Sequence, residues 1–168
     1  MPNRTSGLRI VTAQESQLEL IMRFIRKLAE YERLADEVVA NEDTLRESLF
    51  GARRSAEVVL AYLGDQPAGF AVFFHNFSTF EGRPGIYLED LFVEEEYRGR
   101  GIGKALLAYL AGLAMDRKCA RLNWAVLDWN QPAIDFYRRL GAHLLNEWRI
   151  LRLSGKALEE LAENSSLL

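Results

Sequence analysis

The sequence predicts a mixed α/β fold in which helices cover a central sheet. Segments of strand-like and helix-like apolar period follow one another along the chain. Two apolar runs flank the turn GDQP at 64–67, which marks a hairpin. A strand, a glycine-rich loop and an amphipathic helix succeed one another over residues 86–118.

Each element has a local reason. Residues 8–13 (LRIVTA) read as the first strand. Residues 15–34 carry apolar side chains at 18, 21, 22, 25, 28 and 29, one face of a helix. Residues 41–50 (NEDTLRESLF) form a short helix with Asn41 as N-cap and Gly51 just past its end. Residues 56–63 and 68–77 are the hairpin strands, the loop STFEGRPG follows, and 86–93 (IYLEDLFV) is the next strand. The helix over 102–118 lines up Ile102, Leu106, Leu110, Leu113 and Ala114 on one face. Then come a strand at 120–128, a short helix at 130–141 closed by Gly141, a strand at 142–153 (AHLLNEWRILRL), and a last helix capped by Ser154 and running to 163. The tail NSSLL is expected to fray. No repeat or linker divides the 168 residues, so a single domain is expected, large enough to bury a core without staples.

Composition narrows the function. Apolar residues are 49% and charged residues 27% of the chain, as in an ordinary globular protein. A net charge of −3 argues against nucleic acid as partner and suits a cationic substrate. The single cysteine, Cys119, excludes an internal disulfide and reads as a packed residue in a reducing compartment. With only His75 and His143 besides, far apart in sequence, no metal site is expected. No apolar run approaches the ~20 residues that span a bilayer, and MPNRTSG lacks a signal core. A cytoplasmic protein without membrane contact is the expectation.

The stretch YRGRGIGKALL, 97–107, concentrates the chemistry. A helix N-terminus presents unpaired N–H groups and partial positive charge, so it attracts anions. Glycines let the backbone close on a phosphate, and Arg98, Arg100 and Lys104 add charge. A P-loop would need glycine at 98 and Ser or Thr at 105, where Arg98 and Ala105 stand. The dinucleotide fingerprint fails as well, since Lys104 or Leu106 falls where Gly or Ala is required. A glycine turn that only opens a helix is the other reading of this loop alone. The spacing that does fit is Arg/Gln-x-x-Gly-x-Gly/Ala, in Arg98, Gly101 and Gly103, directly after a strand ending EDLFV. Further on stands NQPAIDFYRRLGA.

At these residues the chain resembles the GNAT superfamily of N-acetyltransferases. With LAEYERLADEV, YLEDLFV and EWRILRL added, it is similar to the diamine acetyltransferase subfamily, which includes spermidine/spermine and thialysine N-acetyltransferases. The likeness spans residues 8–161. It implies one domain over 1–168 with a mixed, mostly antiparallel sheet flanked by helices. It implies acetyl-coenzyme A as acetyl donor and a small cationic amine as acceptor. The pyrophosphate would lie on Arg98, Gly99, Arg100, Gly101, Ile102, Gly103 and Lys104. The pantetheine arm would lie along the main chain of Leu91, Phe92 and Val93, where family members splay the strand, and against Asn130 and Ala133. Tyr137 would lie near the thioester sulfur, Glu89 would be the catalytic or substrate carboxylate, and Tyr31 and Glu32 would touch the amine. A homodimer is implied, with the 142–153 strand near its interface.

The chemistry is consistent with those residue types. An alkylammonium with pKa near ~10.4 must lose a proton before it attacks a thioester. A carboxylate can take that proton and also attract the cation. Regular strand alternation puts Leu88 and Asp90 on one face and Glu89 and Leu91 on the other, so the two acids share a site only if the strand bulges. Tyr137, with a phenol pKa near ~10, can protonate the departing thiolate. Backbone N–H groups of 91–93 can meet the oxyanion. Glu30, Glu32, Asp128 and Glu147 are acids that can line an amine pocket or stay solvated, and Tyr31, Trp129 and Trp148 offer cation–π faces. Acetylation of a protein lysine or N-terminus, and a non-catalytic acyl-coenzyme A-binding module, are the alternative functions. A binding module needs neither Tyr137 nor Glu89.

Overall fold

The computed structural model describes residues 7–164, so the expectations for the first six and last four residues lie outside it. The chain groups into two compact units, Met1–Leu127 and Asp128–Leu168, each described by itself.

The first unit is built on a five-stranded sheet in the order β1-β2-β3-β4-β5. Its strands are β1 Leu8–Thr12, β2 Glu57–Leu63, β3 Gln66–Ser78, β4 Arg83–Val93 and β5 Leu122–Trp124. The first four pair antiparallel and β5 joins β4 in parallel, the mostly antiparallel mixed sheet expected. The predicted loop over 78–85 contracts to four residues. The hairpin continues through Asn76↔Gly85, Phe77↔Pro84 and Ser78↔Arg83, pairs that no local apolar pattern announces. The strand expected at 120–128 keeps only Leu122–Trp124, because its ladder with β4 ends at Leu88↔Trp124.

Helices cover both faces. Residues 15–34 start as the 3-10 turn Glu15–Gln17, continue as α1 Leu18–Glu32, and stop at Arg33, whose φ of 64° is left-handed. Helix α2, Glu42–Phe50, is capped by Asn41, whose side chain accepts from the Thr44 N–H at 3.0 Å. Ile21, Phe24 and Leu28 of α1, with Leu49 of α2, bury against Val58, Leu60, Phe70, Val72 and Phe92. Phe24 is fully buried and stacks with Phe70 and Phe92 at centroid distances of 5.4 and 5.7 Å. Helix α3, Ile102–Asp116, covers the opposite face with buried Ile102, Leu106 and Leu110. By alternation Val59, Ala61, Ala71, Phe73 and Leu88 face α3. Arg117, just past α3, donates from Nη2 to Glu57 Oε2 at 2.8 Å, and that hydrogen bond holds the Glu57 carboxyl below its ordinary range.

The second unit contains α4, Gln131–Arg139, and α5, Gly155–Glu163. Ser154 holds the N-cap position of α5, but its side chain makes no cap hydrogen bond. The strand expected over 142–153 does not form. Those residues carry no regular structure, and Leu144, Leu145, Trp148, Ile150, Leu151 and Leu153 are exposed. A strand needs a neighbour for its N–H and C=O groups, and among the described residues none pairs with this segment. Among the described residues no helix is long and apolar enough to cross a membrane.

The Phe24 cluster joins α1 to the sheet, so it should carry a large share of the first unit's stability. Phe24→Ala is expected to cost about 3–5 kcal/mol, measured as a lower urea midpoint.

Candidate functional site

The site of the first unit begins at an irregularity in β4. Phe73 pairs with Leu88 and the next residue, Val72, pairs with Asp90, which leaves Glu89 as the extra residue of a β-bulge. The bulge reverses the alternation. Ile86 and Leu88 face α3, whereas Asp90 and Phe92 face α1, as the Phe24–Phe92 contact requires. Regular alternation therefore misplaces Asp90: it does not share a face with Leu88.

Three acids gather as a result. Asp90 lies opposite Val72 on the α1 side, in the field of Glu32 at the end of α1 and of its neighbour Glu89. Burial, followed by the charges of Glu89 and Glu32, pushes the Asp90 carboxyl from an ordinary value of 3.8 up to about 6. Burial also raises Glu32, and burial and the Glu89 charge raise Tyr87. Glu89 itself is exposed. Asp90 is the functional candidate that strand reading overlooks. Its signal is an acid in the inward phase between Leu88 and Phe92, where an apolar residue is expected.

The edge of β4 opens at the same place. The Glu94 N–H donates to the Ala68 carbonyl on the β3 side at 2.9 Å. By alternation Leu91 and Val93 turn their N–H and C=O groups to the other edge, beyond the last rung with β5. The Phe92 side chain, by contrast, is core.

From Val93 the chain passes through the 3-10 turn Glu95–Tyr97 into the glycine loop. Gly99 and Gly101 have φ of 72° and 87°, a left-handed backbone that strains any side chain, and Gly101 is the N-cap of α3. Gly103 lies within the first turn of α3 and is not among the glycines of positive φ. Its bare Cα is thus not a backbone requirement and leaves room for close approach. Arg100 lies over the Tyr97 ring at 5.3 Å, Lys104 is in the first turn of α3, and Ile102 is buried beneath it. The donor set suits a pyrophosphate: helix N–H groups, a side-chain-free turn and nearby cations. Arg98 turns back instead. Its Nε donates to the Val93 carbonyl at 3.0 Å and its guanidinium lies 4.8 Å from the Tyr31 ring centroid.

Tyr31, Glu32, Glu89, Leu91, Phe92, Val93 and residues 98–104 thus meet where α1 and β4 end and α3 begins. Asn130, Ala133, Tyr137 and Glu147 belong to the second unit. Asn130 is buried at the N-cap of α4, its Oδ1 accepting from the Ala133 N–H at 3.3 Å. Tyr137 lies in the last turns of α4 with its ring 5.3 Å from Phe136, and Glu147 is exposed in the irregular segment.

Comparison with known proteins bears on this arrangement. The model of the acetyltransferase (GNAT) family matches residues 22–142. A thialysine N-epsilon-acetyltransferase of Bos taurus is 40% identical over 161 residues, covering 89% of this chain and 94% of the relative. An L-ornithine N5-acetyltransferase of Arabidopsis thaliana is 31% identical, covering 91% and 87%. Among solved structures, an integron cassette protein from the mobile metagenome of V. cholerae superposes with a TM-score of 0.78 at 30% identity, covering 94% of this chain and 98% of that one.

Ionised Asp90 should cost stability. Its folded value of about 6 lies above the ordinary 3.8, so the cost is absent below pH 3.8, grows as pH rises and is complete above pH 6. Asp90→Asn is expected to raise the melting temperature at pH 8, by as much as about 3 kcal/mol in stability, and to change little at pH 3.5. Thermal denaturation at both pH values measures it.

Proposed function

The chain belongs to the GNAT family of acetyltransferases, and from that premise we propose that it transfers the acetyl group of acetyl-coenzyme A to a primary amine of a small cationic substrate. The acceptor would be a lysine-like amino acid, a diamine or a polyamine. The names of the thialysine and ornithine relatives favour an amine at the end of an aliphatic chain.

The observation that carries this reading is the β4 bulge, which turns Asp90 to the α1 side in the field of Glu32 and Glu89, on the strand that leads through the 95–97 turn into the glycine loop. An ammonium at that cluster is held by charge and gives its proton to a carboxylate, and Asp90 is the one that burial raises to about 6. Asp90 or Glu89 receives the proton, and the amine lone pair then attacks the thioester carbonyl. The N–H groups of Leu91 and Val93 receive the developing oxyanion. The N–C bond forms, the C–S bond breaks, Tyr137 protonates the thiolate, and the second proton shed by the acylated nitrogen restores the Tyr137 phenol by way of solvent; the Tyr137 role is supported by family resemblance. Arg100, Lys104 and the first turn of α3 would hold the pyrophosphate. Arg98 occupies one face of Tyr31, so an amine would use the other. A cytoplasmic site of action follows from the same reading.

The test is release of free coenzyme A with thialysine, ornithine, spermidine, putrescine and a histone peptide. The small amines should be turned over and the peptide should not. Absence of turnover with every amine, in a protein that binds acetyl-coenzyme A, would leave only a binding module. In the active protein, Tyr137→Phe should lower kcat by roughly 10²–10⁴-fold, the range of a lost general acid, with coenzyme A affinity nearly unchanged. For the donor loop, Gly103→Val should weaken acetyl-coenzyme A binding more than about tenfold by calorimetry while the protein stays folded, because the added side chain fills space rather than straining φ. We also propose a homodimer that covers the exposed apolar residues of 142–153. Light scattering should then give twice the 19.2 kDa chain mass, and a constant 19.2 kDa across concentration would reject the dimer.

A further inference from the structure

Two contacts outside the acid cluster join the later half of α1 to the chain leaving β4. Lys27 Nζ donates to both carboxylate oxygens of Glu94 at 2.7 Å, and the Glu94 side chain is only 12% exposed. Four residues further along each segment, the Arg98 guanidinium covers Tyr31 at 4.8 Å. It also lies 5.8 Å from the Phe92 ring, and its Nε is engaged by the Val93 carbonyl. Lys27 and Tyr31 share a helix face by their spacing, so an ion pair and a cation–π contact form two successive rungs between α1 and the loop. The upper rung adjoins Glu32, whose charge reaches Asp90.

We propose that Arg98 is a positioning residue for the amine rather than a phosphate ligand: it clamps Tyr31, and with it Glu32, against the end of β4. This rests on the reading that the amine binds at Glu32 and Asp90. A guanidinium with one face on an aromatic ring and its Nε on a main-chain carbonyl is not extended toward an anion at the start of α3. That task falls to Arg100, Lys104 and the helix N–H groups. Removing the clamp lets the end of α1 move relative to β4, so the loss falls on amine binding.

The experiment compares Arg98→Gln, Arg98→Lys, Tyr31→Leu and the Arg98→Gln/Tyr31→Leu double variant with Lys104→Gln, in protein shown to be folded by its melting curve. Calorimetry gives the coenzyme A Kd, and steady-state kinetics give KM and kcat for thialysine. Arg98→Gln and Tyr31→Leu should each raise the amine KM by roughly three- to tenfold, with the smaller effect on kcat. The double variant should raise KM by less than the product of the two single effects, since both cut the Tyr31–Arg98 contact. Arg98→Lys should not rescue, because an ammonium lacks the planar face and the Nε–H. Coenzyme A affinity should fall for Lys104→Gln and change less than about twofold for Arg98→Gln. A tenfold loss of coenzyme A affinity in Arg98→Gln, rescue by lysine, or multiplying effects in the double variant would overturn the assignment. If the unmodified protein acetylates no amine, the functional reading fails by itself. The positioning role then fails with that reading, and the coenzyme A affinities of Arg98→Gln and Lys104→Gln decide only the phosphate question: equal losses make Arg98 a phosphate ligand, and a loss confined to Lys104→Gln shows that it is not one.

Discussion

A single extra residue in β4, Glu89, lets one strand contribute to two cores and to the site at its end. Ahead of it, Ile86 and Leu88 pack on the α3 side. After it, Phe92 packs on Phe24 and Phe70 of the α1 side. Asp90 changes face with Phe92 and so comes into the field of Glu32 instead of facing α3. The ladder to β5 ends on the residue before the bulge, which leaves the Leu91 and Val93 main chain turned to an edge beyond the last strand rung, where Arg98 takes the Val93 carbonyl. Acid cluster, open edge and approach to the glycine loop therefore share one cause.

Charge of both signs is sorted over a short length of backbone. Glu32, Glu89 and Asp90 lie at the ends of α1 and β4, and Arg98, Arg100 and Lys104 follow within a few residues, ahead of or within the first turn of α3. Burial, with the charges of Glu89 and Glu32, raises the Asp90 carboxyl to about 6, a value suited to the proton acceptor proposed for it. The helix start and its bare turn supply the opposite field without a buried cation. An acidic protein with a net charge of −3 can thus offer one locality to an anionic donor and a cationic acceptor. The Lys27–Glu94 and Tyr31–Arg98 contacts keep the two halves of that locality in register.

Much of this was legible in the residues. Asn41 caps α2 as its position suggests, and Gly99 and Gly101 take the left-handed backbone for which glycine is suited. Of the apolar face read over 15–34, Leu18, Ile21, Met22, Leu28 and Ala29 bury, whereas Ile25 is only partly buried and the fully buried Phe24 lay outside that face. Where the reading departed from the structure, the cause was pairing. The β3–β4 hairpin runs further than its apolar pattern, through Ser78, Arg83, Pro84 and Gly85, because backbone hydrogen bonds between facing strands do not depend on side-chain type. Residues 142–153 have strand composition but no strand, since composition cannot supply a neighbour.

The sequence by itself determined most of the element types, the glycine loop at the head of α3, the family likeness and the residue types the chemistry needs, because period, caps and turn residues act over a few positions. Tertiary structure alone decided which face Asp90 occupies, how far burial and neighbouring carboxylates raise it, and that Arg98 turns back onto Tyr31. Those outcomes depend on the register of β4 against β3 and on how α1 packs over the sheet. Register is a relation between segments distant in sequence, and a shift of one residue reverses every side chain beyond it.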